Sequence, residues 1–206
     1  MKKLLVTLFI CLPLMAGAQN TWEKNEPVKA AERQAKTAVD SKYLAGAVPE
    51  VDGKVEFSTT IEAPGKSAQQ IYDIIGRELS HMAKEKNQYE KSRILLADTA
   101  THQISATFEE QMIFKSTALA LDYTRFSYYL TATCTDGQAT LKINRIHYLY
   151  EEEREPQTYV AEEWITDKEG LNKKGDKLAR ISGKFRRATI DRKDFIFARI
   201  KARLLQ

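Results

Sequence analysis

Cysteine, histidine and long apolar runs are scarce in this chain of 206 residues. It has two cysteines, and its three histidines show neither HExxH nor any other metal-ligand spacing. The GxSxG nucleophile motif is also missing. We therefore assign no residue to catalysis, to a cofactor or to a metal ion, and we expect a non-enzymatic protein. The alternative is an exported phosphoesterase or glycosidase whose site is not visible in sequence, because distant carboxylates can converge in a fold.

The first 18 residues have the pattern of a bacterial signal peptide. Two lysines precede an apolar run, and the sequence AGA at 16–18 has the small-x-small pattern that signal peptidase cleaves. The run covers about 12 residues, whereas a membrane-spanning helix needs about 20. We expect cleavage after Ala18, export to the periplasm, the cell surface or the medium, and no transmembrane span in the mature chain. Cys11 is then lost, so Cys134 has no disulfide partner within the chain and is expected to be a small buried hydrophobic residue.

The rest of the chain divides by composition and charge. Residues 19–47 are rich in Ala, Lys and Glu, which predicts a leader or linker that is partly helical or disordered. The apolar pattern of residues 48–151 predicts an α+β domain, and that of residues 152–206 predicts a basic, mainly helical extension. From Lys168 onward there are 13 basic and 4 acidic residues, whereas residues 19–167 hold 17 basic and 24 acidic ones. We expect these two oppositely charged regions to attract each other.

A strand followed by a capped helix begins the α+β domain. Asp52-Gly53 predicts a turn, and residues 55–62 alternate as in a half-buried strand. Ser67 and Gln70 have the spacing of a capping box, and the helix that follows has an apolar stripe of Ile71, Ile75, Leu79 and Met82. The PGKS sequence that ends at Ser67 lacks the first glycine of a phosphate-binding loop. We interpret it as the start of this helix and not as a nucleotide site.

An antiparallel meander is predicted after the helix. Asp136-Gly137 separates two alternating segments and predicts a hairpin. After Ile143 the apolar positions change parity, and a β-bulge near Asn144 and Arg145 accounts for the change. We therefore predict about five antiparallel strands, with a helix after the first strand.

Two stretches of the sequence resemble a known family. The first contains Val48-Pro49, Asp52-Gly53-Lys54-Val55, Phe57 and Pro64-Gly65-Lys66-Ser67, and the second is EEWITDKEGLNKKGDKLARISGKFRRATIDRKDFIF at 162–197. Both are similar to an exported bacterial domain-of-unknown-function family with a TATA-binding-protein-like (TBP-like) fold. The resemblance implies a curved antiparallel sheet with the first helix and C-terminal helices packed on one face, and it brings no established activity. We expect no nucleic-acid partner, because the strand-helix-meander unit occurs once and export separates the protein from chromosomal DNA.

The segment 182–206 carries eight basic and two acidic residues. With Asp191 as a helix N-cap, an apolar face is predicted to dock on the sheet, formed by Ile196, Phe197, Ile200 and Leu204. Arg192, Arg199 and Arg203 flank that face. Two interpretations stay open: these arginines pair with acidic residues of the same chain, or they form a surface for an unidentified anionic partner such as lipid head groups, polysaccharide or an acidic envelope protein.

Overall fold

The computed structural model describes residues 41–206. The predicted signal peptide (1–18) and the part of the predicted leader up to residue 40 lie outside the described residues. The described chain begins with a short 3-10 turn, Ser41–Tyr43, and a small hairpin of β1 (Glu50–Val51) and β2 (Lys54–Val55). Asp52 and Gly53 have positive φ angles of 50° and 71° in the turn of this hairpin. Such angles are typical of two-residue hairpin turns, so the turn predicted there is confirmed.

Six antiparallel strands of residues 41–206 form the main sheet. They are β3 (Phe57–Glu62), β4 (Arg93–Asp98), β5 (Gln103–Ser116), β6 (Leu121–Thr135), β7 (Gln138–Tyr150) and β8 (Gln157–Val160). Their order is β3-β7-β6-β5-β4, and β8 pairs with the second half of β7. The predicted antiparallel α+β architecture is confirmed, with one strand more than the five expected.

The predicted β-bulge lies in β7. Arg145 and Ile146 together oppose the single residue Tyr128 of β6, and Arg145 adopts a positive φ of 51°. The extra residue moves the core-facing position from Ile143 to Ile146, both of which are buried. The change in apolar parity therefore has the cause that the sequence indicated.

Two long helices cover one face of the sheet. They are α1 (Ala68–Met82) and α4 (Gly183–Leu204), and the short helices α2 (Ala161–Trp164) and α3 (Asp167–Gly170) precede α4. The capping box of Ser67 and Gln70 is present at the start of α1, and the predicted apolar stripe of this helix is buried. Helix α1 lies across β4 to β7, and α4 packs beside α1 over β5 and β3.

Helix α4 begins nine residues earlier than the sequence analysis predicted, because its N-cap is Ser182. The prediction that Asp191 caps this helix was wrong, because α4 starts at Gly183 and Asp191 lies within it. The Asp191 carboxylate instead accepts a 2.8 Å hydrogen bond from the Tyr43 hydroxyl and pairs with Lys42 at 2.7 Å. The predicted apolar face docks as expected: Ile196, Ile200 and Leu204 are buried, and Phe197 is half-buried.

Residues 41–47, the end of the predicted leader, pack against the C-terminal region. The fully buried Arg186 side chain donates four hydrogen bonds there. Its acceptors are the carbonyl oxygens of Tyr43 (2.7 Å), Leu44 (2.6 Å) and Ile165 (2.7 Å) and the carboxylate of Asp167 (2.7 Å). We call this arrangement the Arg186 clasp, and it ties the start of the described chain to α4.

The opposite face of the sheet is polar, and no helix covers it in the described part of the chain. Its positions on β5, β6 and β7 include Ser105, Thr107, Thr131, Lys142 and His147. Burial on one side only is typical of antiparallel sheets. The polar face by itself therefore indicates no particular ligand.

Candidate functional site

Arg192, the first of the three arginines singled out in the sequence, lies in the core. Its Nε and Nη2 atoms donate to the two carboxylate oxygens of Glu110, each at 2.7 Å, and both side chains are 0% exposed. Burial lowers the pKa of Arg192, but the adjacent Glu110 carboxylate outweighs this effect and the net pKa lies above its ordinary value. Arg192 is therefore charged, and it has no exposed surface that a partner could contact.

Arg199 and Arg203 link α4 to α1 through Glu78. Both donate from Nε to the Glu78 carboxylate, and the Arg203 bond measures 2.9 Å. Arg199 also donates to Glu85 at 2.5 Å and to Nδ1 of His81 at 3.0 Å. The Arg199 side chain is 17% exposed and that of Arg203 is 50% exposed. The surface for an anionic partner stays a prediction at these two positions.

Ion pairs join the basic tail to the acidic part of the chain. The tail pairs are Lys184–Asp122, Arg186–Asp167, Arg192–Glu110, Arg199–Glu78, Arg199–Glu85 and Arg203–Glu78. The expected attraction between the two charged regions is thus confirmed, and it operates across the interface between α4 and the rest of the domain.

The three histidines lie in different parts of the fold. His81 is late in α1, His102 is in the turn between β4 and β5, and His147 is on the open face of β7. Within residues 41–206 no group of three His, Cys, Asp or Glu side chains is arranged to hold a metal ion. Cys134 is buried, and burial raises the pKa of its thiol to about 11. This confirms that Cys134 is a small buried hydrophobic residue.

A groove between α1 and the edge of the sheet was not found by the sequence analysis. Its volume is about 560 Å³, and it is open to solvent. Ile94, Ala97 and Ile104 of β4 and β5 line the sheet side, and Arg77, His81 and Lys84 line the helix side. We call it the α1 groove.

Gly76 creates the space for this groove. A Cβ atom at Gly76 would lie 3.5 Å from Cδ1 of Ile104, so a methyl group fits there but a longer side chain would cover the floor. The Ser80 hydroxyl turns back to the Gly76 carbonyl oxygen at 2.7 Å, which keeps it bound to its own helix. A glycine in a helix interior destabilises the helix by about 1 kcal/mol relative to alanine. Gly76 and the basic residues Arg77 and Lys84 were the signals that the sequence offered.

The helix wall of the α1 groove is positively charged. Arg77 and Lys84 are exposed and form no ion pair with any residue from 41 to 206. The His81 side chain is 71% exposed, although its Nδ1 accepts a hydrogen bond from Arg199. Asp73 is the single carboxylate among the described lining residues. The groove therefore combines an apolar floor with cations available to a ligand.

Strand β4 forms the outer border of both the α1 groove and the sheet. Within the described residues no strand pairs with the outer side of β4. Leu95 and Leu96 are 43% and 49% exposed, and the pairing of β4 with β5 shifts register between Ile94 and Leu96. An edge strand presents backbone N–H and C=O groups to any chain that approaches it.

Comparison with known proteins identifies the family. The profile of a domain of unknown function, DUF4468, with TBP-like fold, matches residues 57–149. The crystal structure of a DUF4468 family protein from Bacteroides ovatus ATCC 8483 is 41% identical, has a TM-score of 0.76, and is matched over 82% of this chain and 96% of that chain. This chain belongs to the DUF4468 family.

A second solved structure shares the fold of this DUF4468 protein. It is a TBP-like protein from Parabacteroides distasonis ATCC 8503, with 21% identity, a TM-score of 0.61, and coverage of 76% of this chain and 96% of that chain. The family resemblance and the TBP-like fold expected from the sequence are confirmed. No curated protein matches the chain. From Ser41 to Gln206, none of the helices combines the length and the apolar character needed to cross a bilayer.

Proposed function

We propose that this DUF4468 protein is a non-enzymatic binding module that is exported to the bacterial envelope and binds its ligand in the α1 groove. The observation that carries the proposal is an apolar floor beside the cations Arg77 and Lys84, which form no ion pair within residues 41–206. By contrast, Arg199 and Arg203, which also lie beside α1, are neutralised by Glu78. Arg77 and Lys84 are thus available to an external anion in the groove.

The chemistry of the groove favours binding over catalysis. Ile94 is half-buried and Ala97 is exposed, so a ligand that covers them removes apolar surface from water, at about 25 cal/mol for each Å². His81 and Asp73 are the lining residues whose side-chain types most often act as general acids or bases. Nδ1 of His81 already accepts from Arg199, and Asp73 accepts a 2.8 Å hydrogen bond from Gln69. The groove therefore supplies contacts for recognition and no nucleophile activated by a neighbouring base.

Methyl NMR spectroscopy tests this proposal directly. The mature chain expected from the sequence, residues 19–206, is titrated with a soluble envelope extract from a Bacteroides species that carries a DUF4468 protein. We expect shifts of the Ile94 and Ile104 methyl signals, while the methyl signal of Ile190 in α4 stays unchanged. Gly76→Leu should suppress the shifts by filling the groove, and Gly76→Ala is the matched control that leaves it open. Unchanged groove methyls, or an equal response of the Gly76→Leu variant, would refute the proposal.

A further inference from the structure

We infer that the ligand of the α1 groove is an extended acidic polypeptide segment that pairs with β4 as a seventh strand of the sheet. This inference rests on the proposed function and adds the class of partner and its binding mode. It follows from three features of the groove: the edge of β4, the apolar floor and the cations Arg77 and Lys84 on the opposite wall.

The backbone of β4 provides the first set of contacts. Natural edge strands are commonly protected by lysine, proline or an inward charge, but the four central residues of β4, 94–97, are Ile, Leu, Leu and Ala. The protective features of this strand are the register shift at Leu95 and the charged residues Arg93 and Asp98 at its ends, which leave its centre apolar. A peptide about 4.8 Å beyond β4 would pair with the free N–H and C=O groups and cover part of Leu95 and Leu96.

The side chains of α1 provide the second set of contacts. Arg77 and His81 are four residues apart on α1, a rise of about 6 Å, and Lys84 lies in the turn two residues after the helix ends; all three line the groove. In an extended chain, side chains on one side repeat about every 6.8 Å. Two successive same-side residues of an added strand therefore match the spacing of Arg77 and His81. Arg77 and Lys84 are cationic, so carboxylate side chains close to them meet complementary charge.

The open shape of the groove favours a peptide over an acyl chain. Small-molecule sites usually bury about 70–90% of the ligand surface, which requires a closed cavity. The α1 groove is open to solvent and not enclosed, so an acyl chain with one terminal carboxylate would leave part of its apolar surface in water. A peptide obtains backbone hydrogen bonds from β4 in addition to the apolar and charged contacts.

Fluorescence anisotropy with synthetic peptides tests the inference. The probe is a labelled eight-residue peptide with alternating Glu and Val, added to residues 19–206. Its first control replaces every Glu by Lys, and its second carries N-methyl groups on alternate backbone amides, which removes the donors needed for strand pairing. We expect each control peptide to bind at least tenfold more weakly, and hydrogen exchange at the amides of Leu95 to Ala97 to slow in the complex.

Charge variants of the protein locate the contact. The double variant Arg77→Ala/Lys84→Ala should bind the acidic peptide about tenfold more weakly. Lys54→Ala/Lys115→Ala is the matched control, because it removes the same charge from exposed positions outside the groove and should bind as the wild type does. If both double variants lost the same affinity for the acidic peptide, the binding would depend only on the net charge of the protein, and the inference would be overturned.

The remaining outcomes separate this inference from the proposed function. If the N-methylated peptide binds as well as the acidic one, the added strand is refuted. If sodium laurate shifts the Ile94 and Ile104 methyl signals and the acidic peptide does not, the peptide inference fails while a binding groove stands. If sedimentation velocity shows a dimer that the peptide dissociates, the occupant is a second copy of this chain and the inference fails. If no envelope extract moves the groove methyls, the proposed function itself fails.

Discussion

Replacing Arg192 by methionine should destabilise the fold by about 3–5 kcal/mol, because it leaves a buried carboxylate without its counter-ion. Glu110 is 0% exposed and, among the described residues, would keep the amide donors of Gln88, at 2.5 Å, and Asn87, at 3.3 Å. A domain of 150–250 residues loses about 2–4 °C in Tm for each kcal/mol. The expected fall in Tm is therefore about 6–20 °C.

The double variant Arg192→Met/Glu110→Leu distinguishes the cost of an unpaired buried charge from the cost of altered packing in the core. It removes both buried charges together, and methionine and leucine can occupy much of the same apolar space. We expect it to cost only about 1–2 kcal/mol, mainly because Gln88 loses its acceptor. The Glu110→Leu single variant should resemble the arginine variant, since it leaves a buried guanidinium without its carboxylate.

Urea unfolding monitored by far-ultraviolet circular dichroism measures the stability of the wild type, the two single variants and the double variant. The free energies are comparable only if the dependence of unfolding on urea concentration is similar in each protein. A cost below about 1 kcal/mol for Arg192→Met would refute the argument. It would also fail if the double variant lost as much stability as the two single variants together, because a coupled buried pair cannot be additive.

Three further predictions concern other sites. Gly76→Ala should stabilise the protein by about 0.5–1 kcal/mol, because alanine favours a helix and its methyl group fits there. Gly183→Ala should destabilise it, because the new Cβ would lie 2.7 Å from the Cβ of Leu178. Urea unfolding measures both free energies, and changes of the same sign would contradict the packing argument. Arg186→Met removes the Arg186 clasp and should accelerate tryptic cleavage after Lys42 at least tenfold, and an unchanged rate would show that other contacts hold this segment. The Cys134 thiol, whose pKa burial raises to about 11, should react with a thiol reagent at pH 8 only in denaturant, and rapid reaction of the native mature chain would contradict its burial.

Local patterns predicted the parts of the fold that neighbouring residues determine. The capping box of Ser67 and Gln70 and the two Asp-Gly turns depend on contacts within a few residues. The bulge at Arg145 was visible because one extra residue reverses the parity of every later position in the strand. Each of these features could therefore be inferred without knowing the rest of the structure.

The buried ion pair left a signal that the sequence analysis did not use. Glu110 follows Ile104, Ala106 and Phe108 in the same parity of β5, so a charged residue occupies the apolar phase of a core strand. Such a position requires a buried partner. That partner, Arg192, is 82 residues away in sequence, and no local pattern identifies it.

The start of α4 and the α1 groove could not be predicted for different reasons. Ser182 occupies the N-cap position without a side-chain capping bond, because its hydroxyl donates to the carbonyl oxygen of Glu169. The more familiar capping residue Asp191 therefore gave the wrong boundary. The groove depends on the distance between α1 and β4, which is a tertiary property, although Gly76 marked its position on the helix.

The Arg186 clasp sets the order in which an exported chain can finish folding. Its donor lies 143 residues after Tyr43 and 142 residues after Leu44. If the chain crosses a membrane with its N-terminal end first, as the proposed export requires, these two acceptors emerge long before the arginine that binds them. Contacts of such long separation form late. Until Arg186 has emerged, residues 43 and 44 lack the hydrogen bonds of the clasp, so an exported chain could complete this part of its fold only after most of it had crossed the membrane.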